Sequence, residues 1–189
     1  MPQLVRPADL INKYYAQHEV ARQILLEHSR QVTRRALKIA RNFIANEPLD
    51  LQFIAEAAML HDIGMIMTNT PELDCHGSGS YLRHGIAGRE ILEKEGLPKH
   101  ALVCERHIGI GLTAEEIRTQ ELPLPQRDML PLTLEEQIIC YADLFYSKNE
   151  NKRGKEKTVA MVRKSIGRFG EEKLIVFEEW RKRFEPELG

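Results

Sequence analysis

Apolar residues along most of the chain recur at steps of three and four, which is the period of an amphipathic helix. The first such segment runs from about Ala16 to Asn46, and its inner stripe consists of Leu25, His28, Val32, Ile39 and Phe43. A second runs from about Leu51 to His61, where Asp50 is placed to cap the first turn. We find no convincing pair of strands, so the pattern predicts an all-α fold.

Glycine and proline divide the rest of the chain. Residues 67–83 are rich in Gly, Ser, Thr and Pro and are predicted to form a loop. Helices are then predicted from His84, from Pro98, over a short stretch near 112–120, and from Thr133, which has capping-box spacing to Glu136. A basic turn leads into two C-terminal helices, whose aromatic residues we interpret as core: Phe169, Phe177, Trp180 and Phe184.

These elements predict a single domain over residues 1–189 with about seven helices. Its central part would span about 20–150, and the C-terminal helices about 155–185. Those last helices could pack on the core or form a homodimer, and the sequence leaves both open.

Composition narrows the class of protein. The formal net charge is −1, so no overall field favours a nucleic acid polymer or a membrane surface. No apolar run approaches the ~20 residues that span a bilayer, and the N-terminus shows no apolar signal region. The three cysteines are widely spaced and form no disulfide framework; Cys104 and Cys140 are expected to be buried thiols. We therefore expect a cytoplasmic protein.

The segment "AAMLHDIGMIM" at 57–67 places a histidine and an aspartate inside an apolar run. One interpretation is a helix C-terminus that ends at Gly64, with His61 near the last carbonyls. The other is part of a metal site, with Asp62 as a second ligand. His18 and His100 are expected at the surface and are assigned no role.

Six residues of metal-ligand type fall on core-facing positions of the predicted helices: His28, His61, Asp62, His84, His107 and Asp143. Each alone is more commonly a hydrogen-bonded core histidine or a capping acid. Together they favour a shared cation, because buried His and Asp require partners. Imidazole and carboxylate without thiolate are typical of Zn, Fe, Mn, Co or Ni sites.

The order His28, then His61-Asp62, then Asp143 resembles the H…HD…D pattern of the HD-domain metal-dependent phosphohydrolase superfamily, with "HDIG" at 61–64 as a common local form. His84 and His107 match two extra histidines of HDIG-type members. Bacterial HD hydrolases of diadenosine tetraphosphate have a similar ligand set, whereas the HD-GYP class matches less well because the Gly-Tyr-Pro segment is absent.

This resemblance implies a helical HD fold with two divalent ions, whose identity among Fe, Mn, Zn, Co, Ni and Mg stays open. It places His28, His61, Asp62 and Asp143 on one ion, and His84, His107 and a bridging Asp62 on the other. Asp62 and His61 would be the catalytic residues. A water activated between the ions would hydrolyse a phosphate ester or anhydride of a small substrate, expected to be a nucleotide.

Basic and polar residues near these positions are predicted to contact the substrate: Ser147, Lys148, Arg106, Arg83 and His76. Ordinary surface ion pairs, a solvated turn and a plain loop histidine remain open for them. Two other functions also stay open. One is a di-iron HD-fold oxygenase, and the other is a non-catalytic HD module in which a metal only stabilises a binding scaffold.

Overall fold

The structure is a computed structural model that describes residues 5–43 and 47–187. The described part contains nine α-helices: α1 (Pro7–Tyr14), α2 (Glu19–Phe43), α3 (Leu51–Leu60), α4 (His84–Lys94), α5 (Pro98–Arg106), α6 (Ala114–Thr119), α7 (Leu134–Asp143), α8 (Val159–Ile166) and α9 (Glu171–Phe184). The all-α prediction is confirmed. The predicted count of about seven is low, partly because α1 was missed. The predicted helix end at Asn46 lies outside the described residues.

None of the helices in these ranges combines the length and the apolar character needed to cross a membrane.

Side-chain caps fix the starts of α3 and α7, the two helices whose C-terminal ends carry candidate metal ligands. The Asp50 carboxylate accepts a hydrogen bond from the backbone N–H of Phe53 at 2.8 Å, as predicted. The Thr133 hydroxyl accepts from the N–H of Glu136 at 3.2 Å. The Glu136 carboxylate does not return to Thr133, because it accepts from the N–H of Leu132 and from Arg106 instead. Both caps set the register of helices that end at the site.

The C-terminal helices pack on the core of the same chain. Phe177 and Phe184 are fully buried, and their rings lie 5.9 and 5.4 Å from the ring of Tyr141 in α7. Trp180 is buried beside them. The assignment of Phe169 to the core was wrong: it is 69% exposed, because the chain leaves the helical period in a turn before α9.

Gly64 does not end α3. The helix stops at Leu60, and residues Ile63–Met67 form a 3-10 helix instead. A Cβ at Gly64 would lie only 2.1 Å from the backbone nitrogen of Gly88 and 2.1 Å from the carbonyl oxygen of His84. The glycine is therefore needed because the turn after Asp62 lies directly against α4.

Residues 67–83 contain a small hairpin that the pattern did not predict. Strands β1 (Asn69–Thr70) and β2 (Cys75–His76) pair antiparallel, with Asn69 opposite His76 and Thr70 opposite Cys75. Two residues are too few for an alternating pattern to be recognised.

His100 is buried rather than at the surface. Its Nε2 lies 3.1 Å from a carboxylate oxygen of Glu56 on α3, and its ring meets Phe53 edge-on at 5.0 Å. This partner lies 44 positions away, so the local sequence gave no sign of it. The prediction that Cys104 and Cys140 are buried thiols is confirmed.

Candidate metal centre

Five helices bring the six predicted ligands to one point. His28 lies in the middle of α2. The other five lie at or next to helix ends: His61 and Asp62 after α3, His84 at the start of α4, His107 after α5, and Asp143 at the end of α7. Two overlapping groups of ligand atoms result, within each of which all atoms lie within 4.8 Å of one another.

The first group joins two imidazoles and two carboxylates. His28 Nε2 lies 2.9 Å from Asp143 Oδ1 and 3.1 Å from Asp62 Oδ2. His61 Nε2 lies 3.0 Å from Asp62 Oδ2 and 3.5 Å from Asp143 Oδ1. Three of the four side chains are almost completely buried, and Asp143 is 18% exposed. Among these four side chains, Asp143 is therefore the one that reaches the surface of the described part of the chain.

The second group uses the other oxygen of Asp62. Asp62 Oδ1 lies 3.2 Å from His84 Nε2 and 3.4 Å from His107 Nε2, and these two nitrogens are 3.0 Å apart. Asp62 thus presents one oxygen to each group. This is the arrangement in which a carboxylate can bridge two cations.

Three of the histidine rings are oriented by a carbonyl three residues earlier in the chain. Nδ1 of His61, His84 and His107 lies 2.7, 2.6 and 2.7 Å from the carbonyl oxygens of residues 58, 81 and 104 respectively. A carbonyl can only accept, so each Nδ1 carries a proton and each Nε2 faces inward, where it can bind a metal once it carries no proton itself. The spacing of three residues is the sequence signal for this orientation.

The ligand atoms fit a divalent cation. His61 Nε2 and Asp62 Oδ1 are buried and make no hydrogen bond of good geometry with any described residue. The facing lone pairs of His84 and His107 repel unless a cation or a proton lies near them. Metal–nitrogen bonds of ~2.0–2.1 Å place neighbouring ligand atoms roughly 2.9–3.4 Å apart in four- or six-coordinate geometry. The observed separations, 2.9–3.5 Å, agree with this.

In the metal-free protein, a proton on His61 and the Lys148 ammonium balance the buried carboxylates. Burial would raise the pKa of Asp62, but Lys148 and His61 hold it well below its ordinary value. Burial would lower the pKa of His61, but Asp62 and Asp143 raise it to about 10. The pKa of His107 is lowered by burial, which favours the neutral, ligating form. The centre is therefore built to hold positive charge.

Lys148 is the predicted substrate residue that the structure brings directly to the centre. Its side chain is 11% exposed, and Nζ donates a hydrogen bond to Asp62 Oδ2 and lies 3.3 Å from His28 Nε2. Lys148 and Ser147 line a cavity of about 360 Å³ that also reaches Asp143.

Three other predicted substrate residues have different partners. Arg106 Nη1 donates to both oxygens of Glu136, at 3.0 and 3.1 Å. Arg83 donates to the carbonyl of Pro123 at 2.9 Å. The His76 side chain is 59% exposed and lies 3.3 Å from Asp74. The structure does not place these three on the wall of the cavity, and their contact with substrate stays a prediction.

Tyr81 lies on the wall of this cavity. The sequence places it, like His76, in the 67–83 loop between Asp62 and His84, where a contact with substrate and a plain loop residue both stay open. Its ring stacks on His84 with centroids 4.6 Å apart, and its carbonyl accepts from the same imidazole. Burial raises its pKa to about 12, so the phenol keeps its proton and can donate a hydrogen bond into the cavity. Its position three residues before His84 was the available signal.

Comparison with known families matches residues 25–147 to the HD domain. The chain belongs to the HD domain family. The match begins before His28 and ends after Asp143, so all six predicted ligands lie within the HD domain. Together with the buried His/Asp groups, this supports a metal-dependent hydrolase and a site able to bind a divalent metal.

Several curated proteins are similar to this HD domain. An uncharacterized protein of Methanocaldococcus jannaschii is 40% identical over 122 residues, which cover 63% of this chain and 64% of the relative. A protein of Picrophilus torridus named tRNA (cytidine(56)-2'-O)-methyltransferase is 36% identical over 126 residues, covering 66% of this chain and 32% of the relative. One of Thermoplasma volcanium with the same name is 30% identical over 140 residues, covering 74% and 35%.

The chain thus spans from about a third to just under two thirds of the length of these relatives. No solved structure matches it significantly.

Proposed function

We propose that this HD domain is a metal-dependent phosphohydrolase that cleaves a phosphate ester or anhydride of a small substrate, with a nucleotide as the favoured class. The observation that carries the proposal is the position of Asp62. Its two oxygens face two separate groups of ligand atoms, while an ammonium group that can bind phosphate lies beside them.

His28, His61, Asp62 and Asp143 would hold one divalent ion, and Asp62, His84 and His107 would hold the other. The ions would polarise a phosphoryl oxygen and lower the pKa of a bound water, which becomes the nucleophile. The protein residues fix this arrangement in advance, because the carbonyl contacts orient three of the imidazoles before any ligand binds.

The cavity wall supplies the groups that would hold the substrate. Lys148 and Ser147 can donate to the non-bridging phosphate oxygens, and the protonated Tyr81 phenol can donate beside them. Asp143 forms the border between the cavity and the first group. A volume of about 360 Å³ lies within the ~300–1,000 Å³ usual for small-molecule sites, which favours a small substrate over a polymer.

A second candidate substrate is a phosphate group on tRNA. It is suggested by the two relatives named as tRNA methyltransferases, of which this HD domain spans about a third. Transfer RNA is therefore a member of the substrate panel, beside nucleotides and sugar phosphates.

The test is phosphate release by purified protein that has been stripped with a chelator and reloaded separately with Mn, Co, Ni, Fe, Zn or Mg. We expect release from at least one panel member, and its loss in Asp62→Ala. Asp9→Asn is the matched control, because it removes a carboxylate of α1 that is 68% exposed and pairs with Arg6. Activity that survives Asp62→Ala would refute the mechanism.

A further inference from the structure

Lys148 lies in contact with two atoms that the first group would use to hold a cation. Nζ donates to Asp62 Oδ2 and is 3.3 Å from His28 Nε2. A cation bound to both of these atoms must lie in the space between them, next to the ammonium group. The lysine and an ion in the first group therefore cannot keep their positions at the same time, since their charges repel at this distance.

The second group is not blocked in this way. It uses Asp62 Oδ1 with the Nε2 atoms of His84 and His107, and Lys148 makes its hydrogen bond to Oδ2. The two groups thus differ in a way that their ligand types do not show. The Lys148 ammonium group lies at the first group, whereas no ammonium group of the described residues makes such a contact at Asp62 Oδ1 of the second.

The position of Lys148 in the chain allows it to move. It follows α7, which ends at Asp143, and lies in an irregular segment rather than in a helix. Its side chain is a flexible four-carbon stem with a compact charge. Besides contacting Asp62, it lines the cavity of about 360 Å³, whose wall also includes Ser147 and Tyr81.

We propose that Lys148 is an internal counter-ion that neutralises Asp62 in the metal-free protein, leaves when an ion enters the first group, and then binds the phosphate of the substrate in the cavity. Metal and phosphate binding are coupled through this one side chain. The phosphate half rests on the proposed function, whereas the competition with the metal does not.

The first measurement is Mn²⁺ affinity by titration calorimetry, with no substrate present. In Lys148→Met we expect the ion of the first group to bind about tenfold more tightly, or more, because it displaces no ammonium group. Lys152→Met is the control; it removes an exposed lysine four residues further along the same connection and should bind like wild type. Unchanged or weaker binding in Lys148→Met would overturn the competition.

Lys148→Met could fail to fold, because it leaves Asp62 without its ammonium partner. Lys148→Gln is the second variant, since its amide can still donate to Asp62 without carrying charge. We expect it to bind Mn²⁺ more tightly than wild type as well. An affinity equal to that of wild type would show that charge at this position does not compete with the metal.

The second measurement is the affinity for inorganic phosphate, with and without Mn²⁺. We expect the gain on adding Mn²⁺ to be larger in wild type than in Lys148→Gln, because only wild type releases an ammonium group. Equal gains would overturn the coupling. If the Lys148 variants bind Mn²⁺ more tightly than wild type but wild type hydrolyses no member of the panel, the proposed function is refuted and the competition is supported. If wild type hydrolyses a substrate but the Lys148 variants bind Mn²⁺ no more tightly, the competition is refuted and the proposed function is supported.

Discussion

Substitution of Gly64 by alanine should separate the turn after Asp62 from α4. The added Cβ would lie 2.1 Å from the carbonyl oxygen of His84 and 2.1 Å from the nitrogen of Gly88. Both are backbone atoms, so neither can rotate away. Relief of the overlap requires α4 to move by about 1 Å or more, because non-bonded carbon contacts lie near ~3.5 Å.

The cost can be estimated from this overlap. Overpacking of a close-packed site costs ~1–3 kcal/mol, and occasionally more. Because both contacts are with backbone atoms, we expect Gly64→Ala to lower the free energy of unfolding by ~3 kcal/mol, the upper end of this range. For a chain of 189 residues this corresponds to a fall in Tm of ~6–12 °C. The same movement displaces His84 relative to Asp62, so the second group should lose metal affinity more than the first.

The assay combines thermal unfolding in the presence of a chelator with metal content per chain after reloading. Gly79→Ala is the control, because its Cβ would meet its nearest neighbour, the carbonyl oxygen of Met67, at an ordinary 3.6 Å. A Tm of Gly64→Ala within ~1 °C of wild type would refute the close approach of the turn and α4. If Gly64→Ala loses metal equally from both groups, the inference that the movement of α4 weakens mainly the second group is refuted.

Three further outcomes follow from the ion pairs and the metal centre. Because the pKa of metal-free His61 is raised to about 10, metal must displace its proton, so Mn²⁺ affinity measured by titration should rise by up to ~tenfold per pH unit between pH 6 and 8. The same raised pKa stabilises the folded, metal-free protein fully below pH 6.5, the ordinary pKa of histidine. This contribution should disappear as the pH rises through about 10, which a series of urea unfolding curves at different pH values checks. Arg35→Met should cost ~3–5 kcal/mol in urea unfolding, since it leaves Glu185 buried without its partner, whereas Arg163→Met, which breaks the more exposed pair with Glu178, should cost ~1 kcal/mol or less.

Local sequence predicted those features that depend on periodicity. His28 shares the stripe of Leu25 and Val32, so its inward direction followed from the helical period. Asp50 and Thr133 were found because a cap acts within three residues. The convergence of the six ligands came from their order along the chain, which resembles the HD pattern.

The features that were missed depend on contacts between distant segments. His100 is buried by Glu56, and Gly64 is needed because of a backbone 24 positions away at Gly88. Phe169 follows the apolar spacing but lies outside the core, because a turn interrupts the helix there. Lys148 was predicted to reach a phosphate, but its hydrogen bond to Asp62 could not be read from a basic turn.

Three of the helices end at the centre by their carboxyl ends: α3 next to His61, α5 next to His107, and α7 at Asp143. A helix carries roughly half a negative charge at that end. The start of α4 at His84 carries the opposite half-charge and offsets one of the three, so the helix ends together still add to the field of the two carboxylates and attract cations to this point. A variant that loses one ligand side chain keeps this attraction, so weakened metal binding, rather than none, is the expected result of most single substitutions at the centre.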